Sequence, residues 1–386
     1  MPWKQTQPMA ERAKFVLAAE EGLFSMSELC QRHRISRKTG YKWLARYREG
    51  GLEALKDQSR APKTIPHRTP EPLESEIVAL RKAHPRWGAR KLLVVLARRQ
   101  PELVAQYGLP AASTTTDILH RHGLIAAKRT RRRPTHPGCS PIKAEAPNDV
   151  WTSDFKGEFL LKNRQYCYPL TICDSFSRLI LACQALCSSA HATAQPVFKR
   201  LFCIYGLPQR IRTDNGTPFA SVALHGLSRL SVYFIKLGIE CDRIEPGQPQ
   251  QNGRHERMHR TLKAETTRPP EATIEAQQQR FDTFQQEFNT VRPHEALAMK
   301  TPASCYHASP REMPKQLPEP SYEGHLEVRR VGTNGCFRWH SEFVFLTKVL
   351  DGEYVGLEEV DEGLWNVLFY DMLLGRYDVR THQLHT

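Results

Sequence analysis

The sequence predicts a multidomain protein with all-α N-terminal domains, an α/β middle on a mixed five-stranded sheet, and a small C-terminal β-barrel. Three observations predict it. Capped helical patterns fill the first third of the chain. From Asp149 onward, apolar strand-like runs appear and then alternate with helices. After Pro310, Pro314, Pro318 and Pro320, only short β-like runs remain, separated by Asn334-Gly335 and Asp351-Gly352 turns.

Residues 8–50, in a helix-turn-helix domain expected over 8–56, divide into three short helices. The first carries Phe15, Val16 and Ala19 and stops at Gly22. The second starts from a capping-box pattern, Ser25-x-x-Glu28, and carries Leu29. Ser36 can cap a third helix, Arg37–Arg48, with Trp43, Leu44 and Tyr47 inward and Arg37, Lys38, Thr39 and Lys42 on its exposed early face. That is the order of a helix-turn-helix, in which the N-terminal residues of the second helix read bases in the major groove. Gly50-Gly51 ends this unit. Residues 57–72 read as a linker with Pro62, Pro66, Pro70 and Pro72. A second helix-turn-helix-like domain is expected over 73–127, with helices Leu73–Ala83, Trp87–Arg99 and Ser113–His122, the last capped by Ser113. A basic linker, 128–145, follows. Its Lys128, Arg129, Arg131, Arg132 and Arg133 are either solvated or in contact with phosphate.

Charge supports a nucleic-acid partner. The formal net charge is +14, yet residues 1–136 hold 27 Lys and Arg against 12 Asp and Glu, while 137–386 hold 28 against 29. The whole excess sits in the helical third, as expected for a nucleic-acid grip joined to a neutral working part. Anionic membrane is the weaker match, because no basic amphipathic helix has an aromatic face. No apolar run is long enough to span a bilayer, and residues 1–15 do not look like a signal peptide. Ten irregularly spaced cysteines then fit a reducing cytosol better than a disulfide framework.

The middle domain, 146–310, is predicted to open with strands Val150–Phe155, Gln165–Cys173 and Leu179–Cys187. Helix Ala192–Ile204, strand Arg210–Thr213, a helix near Leu227–Leu237 and strand Glu240–Ile244 follow. A helix begins near the Asn252-Gly253 turn, and another spans Ala272–Asn289. Asp154 and Asp214 each end a strand and are followed by loop residues. Glu256 falls in the first turn of the helix after Asn252-Gly253, where the helix dipole favours a carboxylate. Arg260 and Lys263 share its face. Such open oxygen ligands suit hard divalent ions, and a pair of ions can activate the attacking oxygen and stabilise the leaving one in phosphoryl transfer.

Three stretches carry a family resemblance: WTSDF at 151–155, IRTDNGTPF at 211–219 and PQQNGRHERMHRTLK at 249–263. They resemble the signature blocks of the integrase catalytic core shared by retroviral integrases and D-D-E transposases of bacterial insertion sequences. NTVRPHEALAMKTP at 289–302 and GLEALKDQSRAPK at 51–63 resemble further segments of the bacterial enzymes, so the likeness covers most of residues 10–310. The resemblance implies an RNase H-like core with Asp154, Asp214 and Glu256 as catalytic and metal-binding triad. It further implies two Mg2+ ions, replaceable by Mn2+, and Arg260 and Lys263 on DNA ends. The expected partners are double-stranded DNA, as element ends and target, and at least one further copy of the chain. The expected location is the bacterial cytoplasm, at the nucleoid.

Two departures accompany it. Forty-one residues separate Asp214 from Glu256, more than the family usually has, with the surplus near Ala223–Leu230. No paired CxxC suggests the zinc module of retroviral integrases. Glu245 is a weaker third acid, lacking a basic helical face. Asp174 reads as a turn residue, Trp151 as packing, and Cys183 and Cys187 as core positions. His255 and His259 are either outer-sphere or DNA-facing groups, or simply solvent-facing. The domain at 325–386 would bind DNA or hold protomers together by family analogy. Two other functions fit parts of the pattern: an inactive transposase acting as a DNA-binding repressor, and an RNase H-type nuclease.

Overall fold

The computed structural model describes residues 8–57, 68–125, 143–221, 223–245 and 248–385. Two compact units result, one ending at Thr69 and one starting at Pro70. Among the described residues, no helix is long and apolar enough to cross a membrane.

In the first unit, α1 (Pro8–Glu20), α2 (Met26–Arg32) and α3 (Arg37–Gly50) surround Phe15, Val16, Leu29 and Cys30. The Ser25–Glu28 capping box forms in both directions, and the Ser36 hydroxyl accepts from the Thr39 amide. These caps satisfy N–H groups that a helix start leaves without internal partners. Gly40 lies where α3 meets its neighbours: a Cβ there would sit 2.8 Å from Cys30 Sγ and 2.9 Å from Phe15 Cζ. Gly51, at φ 62°, ends α3 but not the unit. A further 3-10 turn, Leu52–Leu55, folds Leu55 fully into the core, and Arg12 donates to the Leu55 carbonyl at 2.8 Å.

The second unit opens with four helices where three were expected. They are α4 (Glu71–Ala83), α5 (Ala89–Arg99), α6 (Pro101–Tyr107) and α7 (Ala112–Arg121). Pro101 starts α6 at a position where its missing N–H costs nothing. Ser113 caps nothing, because α7 already begins beyond Ala111. Trp87 precedes α5 and is buried against Leu73, Ile77 and Leu92.

The α/β domain contains β1 (Val150–Phe155), β2 (Phe159–Leu160), β3 (Tyr166–Asp174), β4 (Ile180–Leu186), α8 (His191–Tyr205), β5 (Arg210–Thr213), α9 (Arg229–Lys236), β6 (Glu240–Arg243), α10 (Gly253–Thr266) and α11 (Ile274–Thr290). Its sheet runs β4-β3-β1-β5-β6, with β4, β3 and β1 antiparallel and β1, β5 and β6 parallel. The mixed five-stranded sheet is therefore present, with the two-residue β2 added beside β3. Strand alternation decides what lies on each face. Trp151, Leu170 and Ile172 pack with Phe198 and Phe202 of α8 and Phe234 of α9. On the other face, Cys167, Cys173 and Cys183 pack with Met258 and Leu262 of α10 and Phe281, Phe284 and Phe288 of α11. Burying each of these aromatic side chains contributes about 1.5–3 kcal/mol before entropy is counted. Cys187 falls just past β4 and is exposed, so it is not a core residue.

The last part holds β7 (Glu327–Arg330), β8 (Cys336–Trp339), β9 (Glu342–Phe345), β10 (Tyr354–Asp361), β11 (Leu364–Phe369), β12 (Met372–Asp378) and β13 (Gln383–His385). The strands are as short as expected, but no closed barrel forms among the described residues. A five-stranded sheet, β13-β12-β11-β10-β7, lies with a separate β8-β9 hairpin, linked through an isolated Val331–Phe337 bridge. Instead of closing on itself, the core extends onto the α/β domain, where Leu227 and Val232 join Phe337, Trp339 and Phe369. The surplus residues between Asp214 and Glu256 take part in this docking. Leu227 lies in that shared core, and His225 Nε2 meets the Leu374 carbonyl at 2.7 Å. Lys236 donates to Glu353 at 2.7 and 2.8 Å beside them.

Candidate active site

The site is built at the end of β1. Val150, Trp151 and Thr152 pair in parallel with Arg210, Ile211 and Arg212. Continuing that register sets Asp154 level with Asp214, just beyond β5, and both point to the sheet face that α10 covers. Glu256 occupies the first turn of α10 and is exposed, as are Arg260 and Lys263 on the same helical face. Asp154 is only partly exposed. Burial first, then the nearby Asp214 carboxylate, and further Glu256, push its carboxyl up to about 7, against the pull of Lys156. The structure thus brings the three acids close enough for Asp154 to feel both others. Glu245 is exposed and is not among the groups acting on Asp154.

His255 and His259 do not face solvent. Both are buried on the sheet side of α10, at 2% and 4% exposure. His255 meets Thr152 Oγ1 through Nδ1 at 2.8 Å and Thr171 Oγ1 through Nε2 at 2.7 Å. His259 Nε2 lies 2.6 Å from Thr171 Oγ1, and its Nδ1 lies 3.5 Å from Asp154 Oδ2. Burial drives both imidazoles far down, to about 3 for His255 and about 2 for His259, so both are neutral. The i, i+4 spacing of these histidines, on the stripe that holds Met258 and Leu262, was the signal for burial.

Two bland readings hold. Asp174 accepts from the amides of Asn148 and Ser177 and from the Ser177 hydroxyl, so its oxygens serve a turn. Trp151 is fully buried and donates to Asn148 Oδ1 at 3.0 Å. Of the other residues singled out, Arg37, Lys38 and Lys42 are exposed on α3, and Thr39 is half-buried beneath Ser36. Lys128, Arg129, Arg131, Arg132 and Arg133 lie outside the described residues.

The acid cluster fits a divalent cation. It offers hard oxygen donors and leaves a face open, and burial together with the neighbouring acids raises the carboxyl of its most buried member. Asp154, His255 and His259 also lie within ligand distance of one another. The two imidazoles already share hydrogens with Thr152 and Thr171, so they are better placed to orient Asp154 than to bind metal themselves.

Two integrase core domain models match residues 144–249 and 237–302. A helix-turn-helix domain model matches 11–63, and a homeodomain-like model matches 39–108. An uncharacterized 39.2 kDa protein of insertion element IS476 from Xanthomonas euvesicatoria is 25% identical over 276 residues, 71% of this chain and 75% of that protein. A 31.7 kDa protein of insertion element IS407 from Burkholderia multivorans is 25% identical, over 64% of this chain and 86% of its own length. The Gag-Pol polyprotein of baboon endogenous virus is 28% identical over 47% of this chain, but only 10% of the polyprotein is spanned. Among solved structures, the HTLV-2 integrase catalytic core domain in complex with magnesium aligns over 43% of this chain and all of its own, at 16% identity and a TM-score of 0.35. The chain therefore carries an integrase core domain together with helix-turn-helix domains, and its similar proteins come from insertion elements and retroviruses.

Proposed function

We propose that this chain, an integrase core domain joined to helix-turn-helix domains, is the DNA transposase of an insertion sequence. The observation that carries the reading is the acid cluster of Asp154, Asp214 and Glu256, with the Asp154 carboxyl pushed up to about 7 by burial and its acidic neighbours. Asp154, Asp214 and Glu256 would together hold two divalent ions. Such ions, Mg2+ or Mn2+, supply activation of the attacking oxygen and stabilisation of the leaving one. Water opens a phosphodiester at the element end and exposes a 3′-OH. That hydroxyl then displaces the 3′-oxygen of a target phosphodiester, so each step makes one P–O bond and breaks one without a covalent protein–DNA intermediate.

The rest of the chain positions DNA. Arg260 and Lys263, on the exposed face shared with Glu256, neutralise phosphates of the element end. Arg37, Lys38, Thr39 and Lys42 read the terminal repeat from the start of α3. The basic stretch from Lys128 to Arg133 grips backbone between the helical domains and the core. Two element ends must be brought together, so the working form is at least a dimer.

The test is strand transfer in magnesium, using labelled element-end duplexes and a plasmid target, with Glu256→Gln alongside. Joining by the wild type that the variant loses is the expected result. If both proteins bind the ends and neither joins them, the chain is a DNA-binding regulator.

A further inference from the structure

Beside α10 lies a cavity of about 600 Å³ that reaches Thr152 and His255 of the network behind Asp154 but is not lined by Asp154, Asp214 or Glu256. Lys91 of α5, Arg178 of the β3–β4 turn, Arg254 and Arg257 of α10, and Arg292 and His294 beyond α11 line it. Arg254 and Arg257 recur with Thr261 at helical spacing, on a face next to that of Glu256, Arg260 and Lys263. The cavity is a seam within one compact unit. His84 of the helical part meets Glu287 of α11 at 2.9 Å, and Arg98 donates to the Met299 carbonyl at 2.9 Å.

Cations dominate this seam without matching acceptors. Arg178 Nε and Arg292 Nε are buried donors that lack a hydrogen-bond partner among the described residues. Asp174 reaches the lining, but its oxygens already accept from Asn148 and Ser177. Glu295 is exposed, and the Arg292–Glu265 pair is long, at 3.9 Å. Burial, with repulsion from Arg254 and Arg257, lowers Arg178 to about 10, and burial with Arg292 lowers Lys91. Like charges are held together here, and Asp174, Glu265, Glu287 and Glu295 offset them only in part. Buried donors left unpaired are unfavourable, and an occupant with several acceptor oxygens would satisfy them. Guanidinium groups meet phosphate through paired N–H donors.

We propose that this cavity binds the phosphodiester backbone of a DNA segment, at a second site beside the catalytic helix. The occupant is argued from place as well as charge. Lys91 belongs to the helical domain and Arg254 and Arg257 to the catalytic helix, so one strand in the seam would bridge the part that recognises DNA and the part that cuts it. This rests on the DNA reading above.

The test compares the full chain with an Arg254→Gln, Arg257→Gln double variant, both positions being exposed. Binding of a labelled duplex is measured across salt concentrations, with a Lys315→Gln, Arg376→Gln double variant as the charge-matched control. The first variant should weaken binding to every sequence alike and flatten the slope of log affinity against log salt by about 1 for each cation removed. Wild-type affinity and slope in that variant, or an equal loss in the control, would overturn the second site. Tripolyphosphate that raises the melting temperature of the wild type and not of the variant, with duplex binding equal in both, would overturn the DNA occupant in favour of a free polyphosphate. A wild type that binds no duplex at all would instead sink the DNA reading itself.

Discussion

His259 Nδ1 stands 3.5 Å from Asp154 Oδ2, at the end of a buried chain that runs through Thr152, His255 and Thr171. With the Thr171 proton on the Asp154 carbonyl at 3.1 Å and the Thr152 proton on His255 Nδ1, both imidazoles donate to Thr171 through Nε2. That tautomer, inferred from the network, leaves a lone pair on His259 Nδ1 facing Asp154. The imidazole walls one side of the carboxyl and so limits how it can turn. His259→Asn is therefore expected to raise the magnesium concentration needed for half-maximal strand transfer on the order of 10–100-fold, as loss of a ligand's supporting partner typically does. End binding and melting temperature should stay near wild type. An unchanged magnesium requirement would remove His259 from any positioning role.

Asp154 itself sets function against stability. Its ionised form sits partly buried beside Asp214 and Glu256, so the metal-free protein carries repulsion that its active form needs. Asp154→Asn should abolish strand transfer, leave end binding intact, and raise the metal-free melting temperature at pH 8 by a few degrees, as expected for about 1 kcal/mol. Magnesium should stabilise the wild type and not the variant. Retained transfer, or a lowered metal-free melting temperature, would remove Asp154 from the acid cluster.

Opposing titrations set the pH response. His255, His259 and His294 are held at about 3, 2 and 3 in the fold, each chiefly by burial, whereas an unfolded histidine titrates near 6.5. Their contribution is present above that value and is lost as pH falls, because the unfolded chain then binds more protons. Asp154 acts the other way. Its raised carboxyl contributes below about 4, and that contribution is lost as pH rises through about 7. His191 is lowered with these histidines, while Asp174 and Glu265 are raised with Asp154; the histidines being the more deeply shifted, the metal-free protein should lose stability from pH 6 to pH 4. Asp154→Asn should steepen that loss by about one proton. Urea midpoints across that range decide the matter, and stability that rises toward acid would refute it.

What the sequence made legible was whatever depends on local pattern. Strands Val150–Phe155 and Arg210–Thr213 have the bounds expected from their apolar runs and the loop residues after Asp154 and Asp214. Three kinds of feature escaped. The buried pair His255 and His259 looked like surface because polar residues surround it, although its stripe also holds Met258 and Leu262. The C-terminal strands were readable, but closure depends on partners far away in the chain, and Leu227 and Val232 supply core that a barrel would have had to provide itself. The basic seam gathers Lys91, Arg178, Arg254 and Arg292 from four separate elements, a convergence that no spacing rule describes.

Gly40 gives a case where two local rules point in opposite directions. It lies inside α3, where replacing glycine by alanine ordinarily gains about 1 kcal/mol of helix propensity. Its missing Cβ, however, would stand 2.8 Å from Cys30 Sγ, 2.9 Å from Phe15 Cζ and 3.1 Å from Met26 Sδ, all packed side chains of α1 and α2. Overpacking of this kind costs about 1–3 kcal/mol. Three neighbours would have to yield at once, so packing should win and Gly40→Ala should destabilise the N-terminal unit. Limited proteolysis of the full chain would read this as faster cleavage before Thr69, with the integrase core domain equally protected in both proteins. Slower cleavage in the variant would mean that helix propensity outweighs the contact, and that α3 is packed more loosely than Gly40 implies.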